Sequence, residues 1–298
     1  MIADLREFWL YLSTHGQSVL LSLPYFLFLA YLGIFLVLRR STLFAMVLTQ
    51  AAQLSFILGV GWHFAGHTDA FEFINKHRYD LSEELQHLDL YVFPLTFLFL
   101  LPFLYLASKV SKIRESALML TFLFFTGILP IANRFVGGSE KTLMSLYFSD
   151  LLYTSPNLFW HYLPHIFIIT LLLILTYPSH FLAALDPIEA QLLGLKPELA
   201  NIVFYLLVGL GISISVRVLG TYLTMAALLF APLSALHFAT SMRNLVILTL
   251  LITFCFLIAG FSLSFLLPAY PTEAVLIVSF ALLSAMAHLV ARLKQRIS

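Results

Sequence analysis

Asp186 to Lys196 reads DPIEAQLLGLK, a short polar island between two apolar runs at 158–178 and 198–216. Each run is about 20 residues long, the length an α-helix needs to cross the hydrocarbon of a bilayer. The island is therefore a link between membrane spans, and it reads as a complete miniature helix. Asp186 stands at the N-cap, where its carboxylate can accept from the first free backbone N–H groups. Pro187 suits the first helical position, which needs no donor. Glu189, three residues after the cap, predicts a capping box. Gly194 supplies the stop, because glycine enters the left-handed conformation at little cost. Pro197 and Glu198 open the next helix. Two turns are not stable alone in water, since nucleation costs more than so few hydrogen bonds return. Something must cover Ile188, Leu192 and Leu193: the membrane surface or a docked protein.

The rest of the chain has the same character. Of 298 residues, 61% are hydrophobic and 10% charged, where a soluble domain carries roughly 25% charged residues. Spans are predicted at 18–38, 43–64, 90–108, 116–136, 158–178, 198–216, 219–240, 244–267 and 272–291. The expected fold is an all-α polytopic membrane helix bundle of nine transmembrane helices. The short link at 217–220 leaves eight or ten open. No repeat or linker divides residues 1–298, so one domain is expected. A net charge of +1 without a basic, aromatic-interleaved stripe speaks against nucleic acid. The lone cysteine, Cys255, excludes an internal disulfide framework and a cysteine metal cluster. Asp4, Arg6 and Glu7 precede a polar break at Ser13–Gln17, a pattern that predicts no cleaved signal peptide. Neither H-E-x-x-H nor G-x-S-x-G occurs, against a membrane-embedded hydrolase. The absence of repeats speaks against a secondary transporter.

Basic residues stay cytoplasmic. Arg39, Arg40, Lys109, Lys112, Arg114, Lys196, Arg243, Arg292, Lys294 and Arg296 all fall on one side if the N-terminus is outside and the C-terminus inside. That places the Asp186 helix in the cytoplasm. Outside lie an acidic loop at 65–89 and an apolar segment at 137–157. The loop carries Asp69, Glu72, Asp80, Glu83, Glu84 and Asp89, and its charge run reads as a solvated helix.

Several side chains carry chemistry. His63 and His67, and likewise His161 and His165, are four apart at the outer ends of their spans, a spacing that puts two imidazoles on one helix face. With Asp150 they form a candidate metal site; the alternative is interfacial histidines solvated beside Trp62 and Trp160. Arg217 lies between apolar runs, where a charge must face a cavity or a partner. It lines a path or gate, pairs with Asp150, Glu140 or Glu273, or snorkels to the outer interface. Met46, Gln50 and Gln53, with Thr49, give the second span a polar face, either a path lining or interhelical hydrogen bonding. Pro232 is expected to break the seventh span.

LGIFLVLRRSTLF at 32–44, FSDLLYTSP at 148–156, ALDPIEAQLLGL at 184–195 and VRVLGTYLTMAALLFAPLSA at 216–235 together resemble one family. It is the permease subunit of bacterial ATP-binding-cassette importers for divalent metals (zinc, manganese, iron), of the zinc-importer type. The similarity runs in register from about residue 30 to 290 and is interrupted at 60–95. It implies a permease homodimer around one translocation path in the bacterial cytoplasmic (inner) membrane. It implies a separate ATPase gripping Asp186, Pro187, Ile188, Glu189, Leu192 and Gly194, and a periplasmic or surface substrate-binding protein. No G-x-x-x-x-G-K-[ST] loop occurs here, so ATP and magnesium are expected on the ATPase and no cofactor on this chain. The path residues it implies are Met46, Gln50 and Gln53, to which the charge reading adds Arg217. One departure stands out. The family's G-D-x-x-x-H pattern on the second helix is replaced at Ala45, Met46 and Gln50. A thioether and an amide bind zinc or manganese poorly. Either the metal is held elsewhere, as at His161 and His165, or the substrate has become a metal chelate or small organic ligand.

Overall fold

In lipid a backbone has no water to satisfy its N–H and C=O groups, so apolar runs must close on themselves as helices. Each predicted span does fall on a helix. The structure, a computed structural model, describes residues 2–39, 41–63, 89, 91–99, 114–136, 147, 151, 154 and 156–297. Their helices are α1 (Ile2–Leu38), α2 (Thr42–His63), α3 (91–99), α4 (Arg114–Phe135), α5 (Pro156–Leu175), α6 (Tyr177–Leu185), α7 (Pro187–Leu192), α8 (Pro197–Leu219), α9 (Thr221–Leu236), α10 (Met242–Leu266) and α11 (Thr272–Ile297). No strand occurs among the described residues. Seven of the helices (α1, α2, α4, α5, α8, α10 and α11) are long and apolar enough to cross a membrane. α9, with 16 residues, is shorter.

Burial sorts the helices into an inner and an outer set. In α2 78% of the apolar stretch is buried and in α8 72%, against 28% in α4, α5 and α11. The outer set turns large apolar side chains such as Leu123, Phe124, Phe167 and Leu282 outward, as a lipid-facing surface requires. α9 is buried along most of its length and packs on α1, α2, α10 and α11.

Two local expectations are corrected. The polar break at Ser13–Gln17 does not interrupt the chain, since α1 runs continuously from Ile2 to Leu38. Pro232 does not break the seventh span, and α9 continues through it to Leu236. The N–H that Pro232 lacks frees the carbonyl of Leu228, and Gly33 of α1 packs directly on that carbonyl. The true discontinuity lies at Gly220, whose φ of 78° is accessible to glycine and strained for other residues. It separates α8 from α9 at a junction where both Gly220 and Thr221 are buried.

The two ends of the bundle match the sides assigned from the basic residues. Arg39, at the end of α1, donates to the carbonyl oxygen of His180 in α6 (2.7 Å) and to Asn201 Oδ1 in α8 (2.6 Å). Its guanidinium lies 3.9 Å from the Phe204 ring centroid. One end therefore gathers Arg39 with both arms of the α6–α7–α8 hairpin. At the other end, Ser18 Oγ donates to the Thr154 carbonyl (3.4 Å) and the Leu151 N–H donates to Glu273 of α11.

Candidate functional site

The miniature helix forms as the sequence dictates. Asp186 Oδ1 accepts from the N–H groups of Ile188 and Glu189, both at 3.0 Å, and Pro187 is the first helical residue. The reciprocal half of the capping box is not made: the Asp186 N–H instead donates to the Leu182 carbonyl (2.9 Å) and closes α6. The C-terminus is a Schellman motif. Gly194, at φ 78°, donates to the Gln191 carbonyl and Leu195 to the Ala190 carbonyl, both at 2.9 Å. Ala190 is fully buried, while Ile188, Leu192 and Leu193 are 71%, 82% and 66% exposed. The helix is thus seated on the bundle by one small residue and shows its large apolar residues outward. Asp186→Ala should cost about 1 kcal/mol of local stability. Amide exchange at Ile188 and Glu189 should accelerate, while exchange in α8 stays unchanged.

At the opposite end Arg217 is the hub of a buried cluster. Its side chain is 4% exposed and forms an ion pair with Asp89. Its Nη1 also donates to Tyr162 Oη (2.6 Å), which in turn donates to Asp89 Oδ1 (2.9 Å). His161 Nε2 lies 3.3 Å from Asp89 Oδ2. The Arg217 Cζ is 5.1 Å from the Phe93 centroid and 5.6 Å from that of Phe56. Among the described residues the carboxylate that Arg217 meets is thus Asp89, while Asp150 and Glu140 lie outside the described residues. Asp89, read from the sequence as part of a solvated helix, is buried. It was missed because six acids in one loop look alike; the available signal was that Asp89 alone abuts the apolar run at 90–108.

The outer histidines are only partly brought together. The rings of His161 and His165 are 5.8 Å apart between centroids, but His165 Nδ1 donates to the His161 carbonyl (3.2 Å). The side chain of His63 and the whole of His67 and Asp150 lie outside the described residues. Among the described residues no group of three His, Cys, Asp or Glu side chains converges as a metal site.

Along α2, Gln50 and Gln53 are each 1% exposed and Met46 is half-buried. Gln53 Oε1 accepts from Thr221 Oγ1 (3.0 Å) at the start of α9. The polar face of α2 thus meets the Gly220 break, irregular backbone of the kind tolerated at membrane depth only inside protein or beside a cavity. A cavity of about 720 Å³ lies elsewhere, between α1, α5 and α10. Pro24, Leu27, Phe28, Trp160, Leu163 and Leu250 are among the residues that line it.

A family model described as the ABC 3 transport family matches residues 15–291. No curated protein matches. Among solved structures, PsaBC from Streptococcus pneumoniae in complex with Fab aligns with a TM-score of 0.74 at 17% identity. That alignment covers 96% of this chain and 95% of the other. A metal-chelate type ABC transporter in an inward-facing conformation aligns with a TM-score of 0.64 at 16% identity, covering 93% of this chain and 85% of the other. At these identities the likeness is one of fold.

Proposed function

The chain belongs to the ABC 3 transport family, and on that premise we propose that this multi-pass membrane protein is the permease of an ATP-driven importer of divalent metal. Zinc, manganese or iron crosses the cytoplasmic membrane through it by alternating access. A separate ATPase carries ATP and magnesium and grips α7. A substrate-binding protein delivers cargo to the outer end, where His161 and His165 stand, and two copies of the permease enclose the path. Met46, Gln50, Gln53 and Arg217 line or flank that path in each copy.

The observation that carries this reading is the outward display of Ile188, Leu192 and Leu193 on a helix capped at both ends. Fully covering one such side chain is worth about 1.5–3 kcal/mol, so three together make a strong docking face. The seat of α7 also suits transmission. Its flanking helices are tied to α1 through Arg39, so a force applied at α7 reaches the inner helices.

The test replaces Ile188 and Leu192 together with glutamate and co-expresses the variant with the ATPase of the same transport system. The permease should reach the membrane at its usual level. The ATPase should no longer co-purify, and ATP-driven uptake of radiolabelled zinc, manganese or iron should vanish. A normal complex with undiminished uptake would remove the coupling role of α7.

A further inference from the structure

Three buried polar side chains leave hydrogen-bonding atoms unpaired around the Gly220 break. Gln50 has no partner for its amide oxygen, Gln53 none for its amide nitrogen, and Arg217 none for Nε or Nη2. Gln50 and Gln53 are 1% exposed and the Arg217 side chain 4%. Turning either amide end for end leaves its count of unpaired groups the same unless a new partner is within reach. Buried polar groups are nearly always hydrogen-bonded, and each orphan costs about 1–3 kcal/mol. Groups kept in this state at the meeting of α2, α8 and α9 are placed for something that arrives from outside the chain.

The three are neighbours along one line. Gln53 is one turn from Gln50, and Phe56, one turn further, reaches to 5.6 Å from the Arg217 Cζ. Thr221, four residues after Arg217, holds the other end of the Gln53 amide. The line ends where α9 begins, with the positive pole of its helix dipole, and Gly220 offers that end no side-chain cap.

The sign of this lining decides what it can bind. Sites that hold a bare zinc or manganese ion tightly are built around charged carboxylate or thiolate groups or imidazoles, with neutral carbonyl oxygens as supplements. Here stand a thioether at Met46, two amides, a threonine hydroxyl, a helix N-terminus and a guanidinium. The nearby carboxylate, Asp89, already receives Arg217, Tyr162 and His161. The free donors on Arg217 and Gln53 call for oxygen acceptors, and the free oxygen of Gln50 calls for a donor.

Resting on the reading of this chain as an importer permease, we propose that its path takes metal as a complex already filled by an organic chelator. The chelator presents carboxylate or carbonyl oxygens to Arg217 and Gln53 and an N–H or O–H group to Gln50. Selectivity then resides in the chelator's periphery, and the metal itself touches none of these side chains.

The test uses the full permease–ATPase complex in proteoliposomes with its binding protein. Radiolabelled zinc and manganese are supplied either as the hydrated ion or as the citrate complex. The wild-type complex should hydrolyse ATP and move the citrate complex but not the hydrated ion. The M46D/Q50H variant, which restores a carboxylate and an imidazole one turn apart, should gain uptake of the hydrated ion; either result supports the proposal. Saturable wild-type uptake of the hydrated ion, abolished by Gln50→Ala, would overturn it and leave the importer reading standing. A complex that assembles and hydrolyses ATP, yet moves neither form in wild type or variant, overturns the proposal and metal as cargo together. Failure of the permease to assemble with the ATPase overturns the importer reading first.

Discussion

Asp89→Ala is expected to destabilise the bundle by about 3–5 kcal/mol, because it strands the Arg217 guanidinium without a counter-charge in a dry setting. Solvent cannot rescue the charge, since the Arg217 side chain is 4% exposed. Nor can its neighbours: Phe56 and Phe93 offer only ring faces, and Tyr162 Oη loses the acceptor it now shares with the pair. A lone charge at membrane depth is expensive, so the outer ends of α3, α5 and α8 should separate enough to admit water. The measurement is the denaturant or thermal midpoint of the purified protein in detergent. A second variant separates charge from shape. Replacing both partners with apolar residues of similar volume, Asp89→Leu with Arg217→Met, should recover most of the loss, as buried ion pairs elsewhere tolerate such exchange. A double variant as unstable as Asp89→Ala would mean that the pair is held by something other than charge compensation. Uptake separates the roles further. If Arg217 also serves the cargo, the stable double variant should fold and still fail to transport.

This cluster marks where the sequence could and could not be read. Local features were legible because their causes lie within a few residues. The Asp186 cap, Pro187 at the first helical position and the Gly194 stop each follow from backbone geometry within one turn. Each of the nine predicted spans contains a helix, because lipid leaves an apolar run little choice. The errors share a different cause. The pairing of Arg217 with Asp89 spans 128 residues, and no periodicity encodes which acid folds back on which cation. The Glu189 capping box was only half right because α6 abuts α7 so closely that the Asp186 N–H is already taken. Proline gave the wrong break and glycine the right one. Pro232 is accommodated by a neighbour on α1 that sequence alone does not place beside it, whereas the positive φ at Gly220 is satisfied by the residue itself. The orphaned atoms of Gln50 and Gln53 were invisible as such. The sequence shows the amides but not which of their atoms find partners.

Gly33→Ala should be a severely damaging single-methyl change. A Cβ at that position would stand 1.9 Å from the Leu228 carbonyl oxygen and 2.8 Å from both its carbonyl carbon and Pro232 Cγ. Two of these three atoms belong to backbone, so no rotamer change can clear them. The carbonyl is the one Pro232 cannot bond from within its own helix. α9 therefore cannot rotate the oxygen back into its ladder, and the helices must move apart instead. Overpacking a well-filled interior costs about 1–3 kcal/mol and sometimes more; this site belongs at the upper end because α1 packs along α9 as a rigid element. The unfolding midpoint in detergent should fall accordingly, and expression should drop with it. Pro232→Ala introduced into the same chain should restore part of the stability, since it removes the Cγ contact and supplies the N–H that can draw the Leu228 carbonyl back into the ladder. Gly127→Ala supplies the comparison. Nothing lies within 4 Å of the Cβ it would add, so the exchange should be neutral or should stabilise α4 by about 0.5–1 kcal/mol through lower backbone entropy. Equal midpoints for the two alanine variants would show that α1 does not approach α9 through Gly33, and the seat of Pro232 against α1 would have to be redrawn.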